Sequence, residues 1–134
     1  MKLIGGQRLR DLGSCRHTED FDYLICEPSQ PLFRNDPEQN VDYINAAKNE
    51  FFGEIWEKET ENNEVSLNSL LELKCYSFVQ HCENFNFAKA DNDEFDIKFL
   101  VRKLNFKVDF KLVEKHISAG AMIEIKNVIK KIQR

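Results

Sequence analysis

Two aspartates at alternate positions, Asp20 and Asp22, open the run "DFDYLI". In an extended segment, residues two apart leave the same face. Both carboxylates then point one way, and Phe21, Tyr23 and Ile25 point the other. Like charges this close repel, and a divalent cation relieves the repulsion. Hard carboxylate oxygens suit Mg²⁺, commonly held by one or two carboxylates plus substrate phosphates. Asp20 and Asp22 are therefore candidate metal ligands. The plainer alternative is an exposed strand start carrying ordinary solvated acids.

A glycine pair gives the first alternative more weight. Gly5-Gly6 follows the apolar Leu3-Ile4 and precedes Gln7 to Leu12, which suit a short helix stopped by Gly13-Ser14. Glycine lets a phosphate approach the backbone, and a helix start presents free N–H groups. A tight turn would use the same pair. Arg16 and Thr18, just ahead of Asp20, supply a guanidinium and a hydroxyl suited to phosphate oxygens.

Two further charges break apolar stripes. Lys74 sits four residues after Leu70, three after Leu71 and four before Phe78. Asp96 sits four before Leu100 and eight before Leu104. An unpaired charge on such a face is costly. Either the lysine stem snorkels to the surface, or Lys74 and Asp96 pair or face a common ligand.

The elements that must position these residues follow from periodicity. Residues 2–5 and 21–26 read as short strands, and Pro28, Pro31 and Pro37 mark an irregular loop. Val41 to Glu50 reads as a helix, Phe51 to Trp56 as a strand, and "EKETENNE" as an exposed connection. From Ser66 onward the pattern is helical: Leu67, Leu70, Leu71, Phe78 and Cys82 share one face, capped by Ser66 or Asn68. Asp93 to Leu104, Leu112 to His116 and Ile123 to Ile132 follow as helices, the last with a basic end, "KNVIKKIQR". No internal repeat stands out. Strands first and helices later predict an α+β fold with two layers, a short mixed sheet with helices packed on it.

The composition fits one soluble domain over residues 1–134, sheet-rich over 1–65 and helical over 66–134. A net charge of −4 does not mark a nucleic-acid binder as a whole. Cys15, Cys26, Cys75 and Cys82 match no zinc or CxxC spacing. No signal-peptide pattern and no membrane-length apolar run is present. Reduced thiols in a cytoplasmic protein, with no membrane partner, are expected.

Taken together, these residues resemble the nucleotidyltransferase superfamily, most closely its AbiEii/AbiGii toxin branch from type IV toxin–antitoxin systems, in a minimal form. That branch carries a glycine pair after a strand, then R-x-T/S-x-D-x-D. Here the counterparts are Gly5-Gly6, Arg16, Thr18, Asp20 and Asp22. The branch also has a helix with an inward lysine, matched by "LNSLLELK" ending at Lys74, and a later helix start matched by "EFDIKFL" with Asp96-Ile97. The resemblance spans about residues 3 to 104. Gln7-Arg8 stands where the branch has small and apolar residues.

The resemblance implies Mg²⁺-dependent transfer of a nucleoside monophosphate from an NTP to an acceptor, with release of pyrophosphate. The acceptor would be RNA or tRNA, a protein or a small molecule, and an antitoxin protein would be a partner. Asp20 and Asp22 would hold Mg²⁺; Gly5, Gly6, Arg16, Thr18 and Lys74 would bind the nucleotide. Asp96 would support the metal site, act as base or position Lys74. Asp20, Asp22, Lys74 and Asp96 are expected to converge on one cleft. A third carboxylate is expected as well, with Asp96, Glu54 or Glu57 as candidates. The alternative is a nucleotide-binding or interaction module of the same fold without turnover.

Overall fold

The computed structural model describes every residue except His17, Glu19, Asn63, Gln133 and Arg134. The end of the basic C-terminal run therefore lies outside the described residues. The described chain forms two compact units, Met1–Ser66 and Leu67–Arg134. It is an α+β protein: the first unit holds a mixed sheet with helices packed against it, and the second is helical.

The first unit runs β1 (Lys2–Leu3), α1 (Gly5–Asp11), β2 (Phe21–Ile25), β3 (Phe33–Asp36), β4 (Val41–Asn45), a 3₁₀ turn (Ala46–Lys48) and α2 (Glu50–Lys58). The sheet order is β1-β2-β4-β3. β1 and β2 pair antiparallel, β2 and β4 parallel, and β3 and β4 antiparallel. Register sets the two faces. Lys2 lies opposite Leu24, and Asp22 opposite Asp42, so these four side chains share one face. α1 and α2 both meet that face: Gly5 abuts Asp22, and the Lys2 ammonium lies 5.4 Å from the Trp56 ring centroid. Tyr23 and Tyr43 stack on the other face, with the Arg34 guanidinium 4.3 Å from the Tyr43 ring.

Three elements differ from the sequence expectation. Val41 to Asn45 is a strand, not the start of a helix. Its residues pair on both sides, with β2 and with β3, and those ladders outweigh a weak local helix preference. Phe51 to Trp56 belongs to α2, not to a strand. The Asn49 side chain accepts a hydrogen bond from the Phe52 amide at 3.0 Å, which caps the helix start. Phe51, Phe52 and Ile55 are buried along one side. Each fully buried residue of this kind contributes ~1.5–3 kcal/mol. β3 lies inside the segment expected to be irregular. It is an edge strand followed by Pro37, where a missing N–H costs no ladder bond. Its turn into β4 ends at Asn40 with φ 54, a conformation asparagine tolerates.

Polar residues fasten the ends. Asn45 is fully buried and accepts from the Glu27 and Ala47 amides, both at 3.0 Å. Its Nδ2 donates to the carbonyls of Glu27 (2.7 Å) and Gln30 (2.9 Å). Glu59 falls in the stretch expected to be exposed, yet it is buried. Its carboxylate accepts from Ser66 at 2.6 Å and Asn62 at 2.9 Å, and its carbonyl accepts from Lys2 Nζ at 2.6 Å. A buried carboxylate needs such donors.

The second unit runs α3 (Leu67–Glu83), α4 (Phe87–Lys103), α5 (Lys111–Glu114) and α6 (Ala119–Ile132). α4 begins six residues before the expected start, because Asn86 caps it by accepting from the Lys89 amide at 3.3 Å. Leu70, Leu71, Cys75 and Val79 of α3 are buried, as are Ala90, Ile97, Leu100 and Val101 of α4 and Met122, Ile125 and Val128 of α6. Phe78 and Cys82, expected on that face of α3, are only half-buried. Asn68 lies within α3 and grips the backbone of Asp109 at both its N–H (2.9 Å) and its carbonyl (2.8 Å). The buried Glu72 accepts from the Val113 amide at 2.7 Å. Among the described residues, no helix is long and apolar enough to cross a membrane.

Candidate functional site

The glycine pair sits within α1 rather than ahead of it, and both glycines are buried. Gly5 has φ +71, where an L side chain is strained. Space forbids a side chain too: a Cβ on Gly5 would collide with Asp22 Oδ2 and lie 2.8 Å from Asp22 Cγ. A Cβ on Gly6 would come within 2.8 Å of Thr18 Cγ2 and 2.9 Å of an Arg16 guanidinium nitrogen. The missing side chains thus make room for Asp22, Thr18 and Arg16. Five of the residues singled out from the sequence meet around one backbone step. Ser14 and Arg16 are tied back toward α1: the Ser14 amide donates to the Leu9 carbonyl at 3.0 Å, and the Arg16 amide to Ser14 Oγ at 3.4 Å.

Asp20 is exposed and precedes β2; Asp22 is half-buried within it. Directly beside Asp22, on the parallel neighbour, stands Asp42. Sequence reading missed Asp42 because residues 41–50 looked helical. The signal that could have found it is a short echo: "FDYLI" and "VDYIN" share the Asp-Tyr pair, and the two runs pair residue by residue from Phe21↔Val41 to Ile25↔Asn45. Asp42 Oδ1 accepts from Asn35 Nδ2 at 2.5 Å. Glu54 and Glu57 instead lie along α2, where they line a shallow groove with Lys48 and Glu50.

Lys74 and Asp96 belong to the second unit, where they meet. Lys74 Nζ lies 3.0 Å from Asp96 Oδ2 and 3.9 Å from Asp93 Oδ1. The Asp96 side chain is 1% exposed and that of Lys74 13%. Asp93 in turn accepts from Ser77 Oγ at 3.0 Å and contacts His81 Nδ1 at 2.6 Å. Of the openings the sequence left to this lysine and aspartate, the ion pair is present. Ser77 and His81 carried no sequence signal of their own, since polar residues on a helix are ordinarily solvated. All four cysteines are free thiols, and burial pushes the Cys75 thiol well above its ordinary range, with Glu72 and Asp93 adding to the effect.

Among the described residues, no group of three or more His, Cys, Asp or Glu side chains is spaced to hold a metal ion. The donor set fits Mg²⁺ in the form that needs fewer protein ligands: one or two carboxylates, the rest supplied by phosphates and water. Asp22 lies over the bare Cα of Gly5, and the exposed Asp20 precedes it by two residues. Comparison of the chain with protein-family models, curated proteins and solved structures gives no match.

Proposed function

We propose that this chain is a Mg²⁺-dependent nucleotidyltransferase of the AbiEii toxin-like kind, moving a nucleoside monophosphate from an NTP to an acceptor. The observation that carries this reading is the packing of Asp22 on Gly5 and of Arg16 and Thr18 on Gly6. Carboxylates, a guanidinium and a hydroxyl around side-chain-free backbone are the groups that a metal-bound triphosphate requires.

Asp20 and Asp22 would hold the metal, which when bound neutralises charge on the phosphate oxygens. Arg16 and Thr18 would bind those oxygens and orient the α-phosphate for in-line attack. The acceptor oxygen bonds to the α-phosphorus, the bond to the bridging oxygen breaks, and pyrophosphate leaves with that electron pair. The acceptor's proton passes to water. The resemblance would give Lys74 the role of offsetting triphosphate charge. RNA or tRNA ends, protein side chains and small molecules all offer a suitable nucleophile. An antitoxin protein is the partner the resemblance brings with it.

One observation favours a second reading, a binding module without turnover. The Lys74 ammonium is already engaged by Asp96 and Asp93. Calorimetric titration of the protein with Mg²⁺ and each of the four NTPs, alongside a pyrophosphate-release assay, separates the readings. Binding with release supports the transferase, and binding without release supports the module. No heat with any NTP overturns both.

A further inference from the structure

We infer that Gln7 is a positioning residue of this site, and that its side-chain amide clasps the Thr18 backbone to α1. The inference deepens the nucleotide-site reading above and rests on it. Gln7 Nε2 donates to the Thr18 carbonyl at 2.7 Å, across eleven residues of sequence. The bond is partly buried, so water competes for it less than at the surface. It departs from the helix turn that carries Gly6, whose bare Cα is the surface on which Arg16 and Thr18 rest. Gly6 removes the steric obstacle; Gln7 supplies the attachment.

The attachment has a firm base. Gln7 is followed in α1 by Leu9, which is 1% exposed and anchors the helix in the core. Ser14 fixes the near end of the segment through Leu9, so the Gln7 bond fixes the end that carries Thr18. Without it, Thr18 must be ordered by the ligand itself, and that ordering weakens binding. Glutamine is suited to the task because it is long enough to reach the carbonyl, carries a donor and adds no charge beside Asp22.

The test uses the full chain and two variants. Gln7→Glu keeps the shape but faces the Thr18 carbonyl with an acceptor; Gln7→Met keeps the length without polarity. Limited trypsin digestion, read by mass spectrometry as the rate of cleavage after Arg16, reports the clasp without nucleotide. Calorimetry with Mg²⁺ and the NTP the parent binds best reports its consequence. We expect cleavage about tenfold faster in Gln7→Glu and NTP affinity about tenfold weaker, equivalent to ~1.4 kcal/mol and in keeping with a lost side-chain hydrogen bond. Gln7→Met should change both in the same direction. The unliganded thermal midpoint should fall by no more than ~6 °C, the shift one lost hydrogen bond accounts for, whereas a general structural role would lower it further. Cleavage at the parental rate in both variants overturns the clasp. Faster cleavage with unchanged NTP affinity overturns the positioning role while leaving the nucleotide reading intact. A parent that binds no NTP overturns the nucleotide reading and, with it, the positioning role, whatever the digestion shows.

Discussion

The carboxylate of Asp22 occupies the space that a side chain on Gly5 would need. A strand and the helix start beside it are thereby coupled through one absent Cβ. The coupling has a measurable signature. Gly5→Ala should destabilise the protein by ~2–4 kcal/mol, part from the left-handed backbone and part from the collision. Asp22→Gly in the same chain should recover the collision part and leave the backbone part. Urea unfolding of the two single variants and the double variant gives the coupling energy; additive effects would show that the two residues do not compete for space.

Lys74 and Asp96 form an ion pair that is almost fully removed from water. Removing one partner takes the nearest counter-charge from a buried group, so Lys74→Met or Asp96→Leu alone should cost up to ~3–5 kcal/mol, less where Asp93 compensates Lys74. The double variant Lys74→Met/Asp96→Leu should cost much less than the sum, because two apolar side chains replace the pair. Denaturant midpoints decide it, and a double variant as unstable as the sum would mean that Asp93, Ser77 and His81 depend on the pair.

Asp42 stands in register beside Asp22. If it adds to the electrostatic demand for a cation on that face, Asp42→Asn should weaken Mg²⁺-dependent NTP binding by about tenfold or more, the equivalent of ~1.4 kcal/mol. Glu54→Gln and Glu57→Gln, on the α2 groove, should leave it unchanged. Titration calorimetry at fixed NTP distinguishes the strand carboxylate from the helical ones.

Cys75 is fully buried and its thiol is held protonated. Above the ordinary thiol range the unfolded chain releases that proton while the folded chain keeps it. The unfolded state then binds fewer protons, and stability falls as pH rises through about 8.5. Cys75→Ala should flatten this part of the stability curve, at the expense of some packing. In the folded protein a thiol reagent at pH 8 should modify the exposed Cys15 and Cys26 and spare Cys75. Peptide mapping after labelling reads this directly.

Much of the second unit was legible in advance because helical burial repeats at a period that local sequence records. Leu70, Leu71, Ile97 and Leu100 announce their faces wherever the helices dock. The charged exceptions, Lys74 and Asp96, stood out for the same reason. The first motif was legible too, since alternating aspartates and a glycine pair mark demands of backbone and charge that few other residue types meet.

What sequence alone determined, then, is the α+β order, the helical half, and the glycine pair, Arg16, Thr18 and Asp22 that gather at one step of α1 and β2. Tertiary structure decided the rest. "VDYIN" became a strand because β2 and β3 both offered it ladders, and "FFGEIW" became a helix because Asn49 caps it and its apolar side is buried. Short apolar runs carry too little periodicity to choose between those states, so long-range pairing makes the choice. That pairing set Asp42 beside Asp22, just as burial turned Glu59 from an expected surface acid into a core anchor held by Ser66 and Asn62. Both outcomes depend on partners 3 to 20 positions away along the chain, whose nearness in space no helical or strand period records.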